Sequence, residues 1–244
     1  MHKMISTKTL LQLPVVVLLL LAQLSFAQSK YNKVDANGQK QGEWVKMWSN
    51  GIVKYKGVFN DDKPIGTFKY YYPSGKLKSV MSFTEEGVKA HNISYHENGK
   101  KMAEGDFINQ KKTGSWKYFS DVDEKLVSEE NYKNGLLDGK STTYYIAQGK
   151  PFEVIEYKNG IKNGEWVKYF MDGQIMTRTF YVNGKLQGNF VNYDPNGTLI
   201  VKGQYNAGEM DGTWFYYDEK GKLYRKEVYS NGNLVTSEDI EEGK

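Results

Sequence analysis

This chain contains no cysteine, five prolines and three histidines in 244 residues. Without cysteine, disulfide stapling and a lipid-modified amino-terminal cysteine are both excluded, so stability has to come from packing. Two histidines, His91 and His96, remain beyond the first few residues. Five positions apart in a strand, they face opposite sides and cannot readily share a metal, so neither a metal nor a cofactor is expected. An excess of one charge is also lacking, with 33 Lys and Arg against 29 Asp and Glu. No basic block stands out to neutralise phosphates, and nucleic acid is not expected as a partner.

Long hydrophobic runs are missing except at the start, where Leu10 to Ala22 follows His2, Lys3 and Lys8 and leads to Ser25-Phe26-Ala27. This pattern reads as a signal peptide, residues 1–27, cleaved before Gln28. A membrane anchor is the alternative, but the run contains Gln12 and Pro14 and is shorter than the roughly 20 residues that span a bilayer. Cleavage removes two of the 33 basic residues and leaves a net charge of +2 with no transmembrane segment. The expected location is the periplasm, the outer envelope or the extracellular space.

What is abundant is aromatic residues and glycine: 19 Tyr, 11 Phe, 5 Trp and 25 Gly. They fall into register. A glycine recurs at 42, 66, 114, 139, 164, 188 and 212, with Ala90 completing the series at steps of 24 or 25 residues. Two places after this marker stand Trp44, Phe68, Trp116, Trp166, Phe190 and Trp214, with Asn92 and Ser141 as the departures. Five or so places after it come Tyr71, Tyr95, Phe119, Tyr144, Tyr169, Tyr193 and Tyr217, with Met47 in the first unit. Each unit closes on an aromatic residue: Phe59, Phe83, Phe107, Tyr132, Tyr157, Tyr181, Tyr205 and Tyr229.

Two turn signals punctuate every unit. Gly51, Gly75, Gly99, Gly173, Gly197 and Gly221 mark one, and Gly160 and Gly184 belong to the other. Asn-Gly pairs starting at 50, 98, 134, 159, 183, 196 and 231 suit type I′ hairpins, because both central residues need positive φ. Seven to nine residues remain for each arm, too few for a helix and rich in β-branched and aromatic residues. Gly57, Gly105 and Gly203, each two before the closing aromatic, suggest a bulge or close packing against a ring. One such unit buries too little to order its 24 residues alone, so neighbours must stack. The expected fold is all-β: an elongated single-layer meander, or solenoid, of about eight stacked β-hairpin repeats and sixteen strands. It occupies residues 38–236, between a polar lead at 28–37 and an acidic tail at 237–244.

The unit Gly-x-Trp-x-x-Tyr, then Asn-Gly-Lys, then a strand to Tyr-x-Asn-Gly, resembles the MORN repeat in its bacterial two-turn variant. Gly164-Glu165-Trp166-Val167-Lys168-Tyr169 and Gly212-Thr213-Trp214-Phe215-Tyr216-Tyr217 match most closely. The resemblance implies a ribbon of stacked hairpins and an antitoxin-like or immunity label for some bacterial members, whereas a repeat by itself hosts many functions.

No Ser/His/Asp set, nucleophile elbow or phosphate-binding glycine loop is legible, and carboxylates such as Asp61-Asp62 and Glu85-Glu86 fall at turns. No catalytic residue is assigned, and an enzyme is not expected. Candidate partner-binding residues are Tyr70, Tyr118 and Tyr216, four after the marker, together with His91 and His96 in the irregular third unit. The same tyrosines could equally pack between hairpins. The expected function is an exported, non-catalytic scaffold for protein–protein interaction, with binding to cell-wall glycan or lipid headgroups as the alternative.

Overall fold

The computed structural model describes residues 30–241. The leader 1–27 lies outside the described residues. Eighteen strands are present among those described. The first six are β1 (Lys33–Val34), β2 (Lys40–Met47), β3 (Val53–Asn60), β4 (Lys63–Tyr71), β5 (Leu77–Thr84) and β6 (Lys89–Tyr95). Next come β7 (Lys101–Ile108), β8 (Lys111–Phe119), β9 (Leu126–Lys133), β10 (Leu136–Tyr145), β11 (Lys150–Lys158) and β12 (Ile161–Tyr169). The series ends with β13 (Ile175–Val182), β14 (Lys185–Tyr193), β15 (Leu199–Asn206), β16 (Glu209–Tyr217), β17 (Leu223–Ser230) and β18 (Asn233–Asp239). Each strand pairs antiparallel with its neighbours in sequence, giving one open sheet. At about 4.8 Å per strand the sheet runs roughly 80 Å along the stacking direction.

The sixteen expected strands are β2 to β17, and the ends add two more. Lys33 and Val34 of the polar lead pair with Gln41 and Lys40. At the other end β18 runs on into the acidic tail. Ser237, Glu238 and Asp239 continue β18 against β17, and Arg225 Nε donates to Asp239 Oδ1 at 2.7 Å.

Two turn geometries alternate. At Asn134-Gly135, Asn159-Gly160, Asn183-Gly184 and Asn231-Gly232 both residues have positive φ, the type I′ signature, and Asp61-Asp62, Asn109-Gln110 and Ala207-Gly208 adopt it as well. The Asn-Gly pairs at 50, 98 and 196 do not. There only the glycine is left-handed, with φ +79 at Gly51, +90 at Gly99 and +83 at Gly197. The Gly51 N–H donates to Trp48 O at 3.0 Å, which closes a type I turn followed by a left-handed glycine. The dipeptide alone does not distinguish these turns; the length of the loop between strands does.

The marker glycines hold bulges. Opposite Gly57 stand three residues, Gly66, Thr67 and Phe68, between the pairs Val58↔Ile65 and Lys56↔Lys69. A positive φ of +64 at Gly66 permits this detour. The bulge lays the Phe68 ring flat on Gly57, where an added Cβ would meet the ring at 2.4 Å. Gly105 receives Trp116 in the same way at 2.4 Å, and Gly203 receives Trp214 at 2.2 Å.

The third unit obeys a different rule at the same length. Ala90 lacks the positive φ of its counterparts, and β5 and β6 pair without interruption from Ser79↔Ser94 to Thr84↔Lys89. The two residues that elsewhere enlarge the bulge here enlarge the turn, which becomes a four-residue loop carrying the 3-10 segment Glu85–Gly87. A side chain at the marker position disfavours the left-handed bulge, and the chain relocates its slack to the hairpin end.

Candidate functional site

Successive side chains of a strand alternate between faces, and the registers decide which rings meet. The two-after-marker ring and the closing aromatic share one face and interlock edge to face. Phe68 lies between Phe59 and Phe83 at centroid distances of 5.1 and 5.2 Å, and Trp116 lies between Phe107 and Tyr132 at 4.9 and 6.4 Å. Trp214 lies between Tyr205 and Tyr229 at 5.2 and 6.5 Å. Trp44 meets Phe59, Trp166 meets Tyr181 and Phe190 meets Tyr205 at 5.7 to 5.8 Å. Among the described residues the buried apolar side chains are Phe68, Ala90, Ala103, Trp116, Ile155, Val167 and Trp214. All but Val167, which neighbours Trp166 and faces the other side, belong to the ring face, so most of the core follows that seam.

Lysines two before the marker cover this seam, a phase that sequence reasoning missed. Lys112 Nζ stands 4.4 Å from the Trp116 ring, 4.7 Å from Tyr132 and 5.1 Å from Tyr118, and it donates to Tyr118 Oη at 2.5 Å. Lys40 lies 4.8 Å from Phe59 and Lys162 4.9 Å from Tyr181. The signal was a lysine recurring at positions 40, 112 and 162 in phase with the glycines.

The side chains six or so after the marker stitch units together along the longer-turn edge. Trp48 Nε1 donates to Tyr71 O at 3.1 Å, Tyr72 Oη to Tyr95 O at 2.8 Å and Tyr145 Oη to Tyr169 O at 2.9 Å. His96 occupies this phase, and its Nε2–H donates to Phe119 O at 3.2 Å, so it acts as a structural stitch.

Tyr70, Tyr118 and Tyr216 sit half-buried on the aromatic face. The row continues across the registers from Lys46 through Tyr55, Tyr70, Ser79, Ser94 and Ala103 to Tyr118. Burial is the leading cause that holds the hydroxyl pKa of Tyr70, Tyr118, Tyr205 and Tyr216 above the ordinary tyrosine value. In the unfolded chain these groups ionise near pH 10.0, whereas the folded protein keeps them neutral. The stability they contribute is therefore complete below pH 10 and is lost as pH rises above it, because the unfolded state then binds fewer protons. An unfolding midpoint that falls steeply above pH 10, with a shallower fall in Tyr118→Phe, is expected. Tyrosinate absorbance recorded alongside denaturation checks it.

On the opposite face His91 Nδ1 lies 2.7 Å from Asp106 Oδ1, and Ser82 is the cross-strand neighbour of His91. The register thus assembles a Ser, a His and an Asp that the sequence did not show as a set. Two parts of a nucleophilic triad are missing. No Ser82–His91 hydrogen bond forms among the described residues, and the backbone N–H groups of these interior strands are committed to the ladder rather than to an oxyanion. The His91 and Asp106 side chains are 51% and 60% exposed, which makes the pair a solvated surface contact. His91 and His96 are not brought together. Among the described residues no three His, Asp or Glu side chains converge as a metal site.

Among the described residues the aromatic seam opens in the third unit, where Asn92 holds the ring position. A cavity of about 440 Å³ lies there, walled by Phe59, Phe68, Met81, Phe83, Ala90 and Phe107. The enlarged turn closes one side, where Gly87 packs on Pro64 and Lys63 Nζ pairs with Glu86 Oε2 at 2.5 Å.

These features define an open, single-layer β-repeat scaffold built from ring-on-glycine hairpins. Four segments, residues 64–85, 91–109, 186–207 and 210–235, match the MORN repeat variant. No curated protein sequence matches the chain. Among solved structures, a variant of S. aureus TarM with fondaparinux, alpha-GlcNAc-glycerol and UDP is 18% identical over 40% of this chain and 20% of its own, at a TM-score of 0.31. A second TarM structure is 16% identical over 50% of this chain and 19% of its own, at 0.26. A TcdB2-TccC3-Cdc42 structure is 11% identical over 84% of this chain and 13% of its own, at 0.21. The chain spans a fifth or less of each.

Proposed function

We propose that this repeat scaffold is exported, has no catalytic role of its own, and binds another protein along its aromatic face. The supporting observation is that this face is built from rings and, among the described residues, no second layer covers it. Between the fixed rings, the four-after-marker row varies freely, from Lys46 and Tyr70 to Ser94 and Thr143, which is where a partner would read the surface. Immunity toward a toxin acting outside the cytoplasm is one form of this reading.

The test is a photo-reactive residue placed in turn at Tyr70, Tyr118 and Tyr216 in cells, with reverse-face controls at Lys56 and Lys226. A discrete crosslinked species specific to the aromatic face supports the reading, and equal labelling of both faces sinks it. Export is checked separately, by finding a mature chain that begins at Gln28 in the envelope or the medium.

A second reading, an anionic glycan or lipid-headgroup surface, draws on the reverse face. There Lys56 and Lys69 are direct cross-strand neighbours, and neither has an ion pair among the described residues. Titration with envelope polysaccharide and anionic vesicles separates this reading from the first.

A further inference from the structure

We propose that the cavity in the third unit is a receptor for one aromatic side chain, tryptophan or tyrosine, presented by a partner polypeptide. The proposal deepens the protein-binding reading by naming what the partner inserts.

The argument is the internal repetition of the fold. In the second, fourth and eighth units a ring sits between two closing aromatics, edge-on to both: Phe68 between Phe59 and Phe83, Trp116 between Phe107 and Tyr132, Trp214 between Tyr205 and Tyr229. In the third unit the flanking aromatics are Phe83 and Phe107, and the ring position holds Asn92. Its partner on the preceding strand is Met81, where the second, fourth and eighth units hold the glycine that receives the ring. The walls of the slot are kept while the ring that belongs to it is not supplied. Phe83, Phe107, Met81 and Ala90 all line the resulting space of about 440 Å³, a volume in the range of small-ligand sites.

Two further features point to an incoming ring. Along the neighbouring row the large side chains stop at Tyr70 and resume at Tyr118, with Ser79, Ser94 and Ala103 between them, so the surface dips beside the cavity. The rim also carries acceptors. Asp62 and Gln110 line the opening, and among the described residues the Asp62 carboxylate accepts the Lys40 N–H alone, at 3.0 Å through Oδ1. An indole N–H or a phenol O–H finds an acceptor there that a phenylalanine or leucine side chain cannot use.

The test is a methyl NMR titration of the intact protein, following Met81, Ala90 and Val88. N-acetyl-tryptophanamide is the probe, with N-acetyl-leucinamide and free indole as comparators. Saturable shifts with a Kd on the order of 1 mM are expected for the tryptophan probe, as suits a single side chain. Val88→Phe, at an exposed turn position on the cavity wall, fills the space and is expected to weaken binding at least tenfold. The double variant Met81→Gly/Asn92→Trp restores the ring from within and is expected to abolish it. Absence of shifts, unchanged binding in a folded Val88→Phe protein, or equal binding of the leucine probe overturns the proposal. Binding of indole without binding of the capped amide overturns the partner side chain as occupant. The titration needs no partner, so its failure is distinct from failure of the crosslinking experiment.

Discussion

Gly105→Met is expected to destabilise the protein by about 3–5 kcal/mol, because the new side chain has no space beneath the Trp116 ring. A Cβ at this position already falls 2.4 Å from the indole. The indole cannot retreat easily: it is 3% exposed, clamped between Phe107 and Tyr132, and its Nε1 donates to Asp106 O at 3.0 Å. The protein itself shows the remedy. In the two units that lack the ring, the position beneath it holds a large residue, Met81 paired with Asn92 and Glu130 with Ser141, although the sixth unit accommodates Ile155 beneath Trp166. Trp116→Asn alone is expected to cost about 3–5 kcal/mol by leaving a hole. Combined with Gly105→Met, the total is expected to fall short of the sum by at least about 2 kcal/mol. Urea unfolding of the wild type, both single variants and the double variant measures the coupling. Strict additivity would show that ring and glycine are not the interlocking pair described.

Trp214→Ala is expected to lose about 3–5 kcal/mol as well, but with a local outcome. Trp214 is 3% exposed and touches Phe190 at 5.4 Å, Tyr205 at 5.2 Å and Tyr229 at 6.5 Å, so it joins three successive hairpins near the carboxyl end. In a stack where each hairpin packs only on the next, removing this ring detaches β16 to β18 without disturbing distant units. Amide hydrogen exchange is expected to lose protection from β15 onward while β4 to β8 keep theirs. Uniform loss across the chain would contradict a nearest-neighbour stack. Phe68→Ala offers the contrast, since that ring sits in the amino-terminal half and its loss is expected to weaken protection there.

The repeat was legible because its physical requirements are local. A left-handed turn residue calls for Gly or Asn, a strand bulge calls for Gly, and a buried seam calls for a ring at a fixed phase, so Gly42 to Gly212 and Phe59 to Tyr229 announce themselves. The close approach of rings to Gly57, Gly105 and Gly203 could be anticipated for the same reason. Other features needed pairing across strands. Nothing in the dipeptide separates Asn50-Gly51 from Asn159-Gly160, yet they form different turns. His96 looked like a candidate for binding until its phase placed it in line with Trp48, Tyr72 and Tyr145 as a stitch between units. Ser82, His91 and Asp106 lie 9 and 15 residues apart in sequence and become neighbours only through the register.

By itself the sequence determined the hairpin repeat, its period, the ring seam and the irregularity of the third unit, because backbone conformation and side-chain size act over a few residues. Only the tertiary structure decided what that irregularity does. Ala90 does not adopt the left-handed bulge, the slack moves into the turn at Glu85–Gly87, and two closing aromatics are left facing an unfilled slot. That outcome depends on how three successive hairpins pack, a relation among residues from Phe59 to Phe107 that no short stretch encodes.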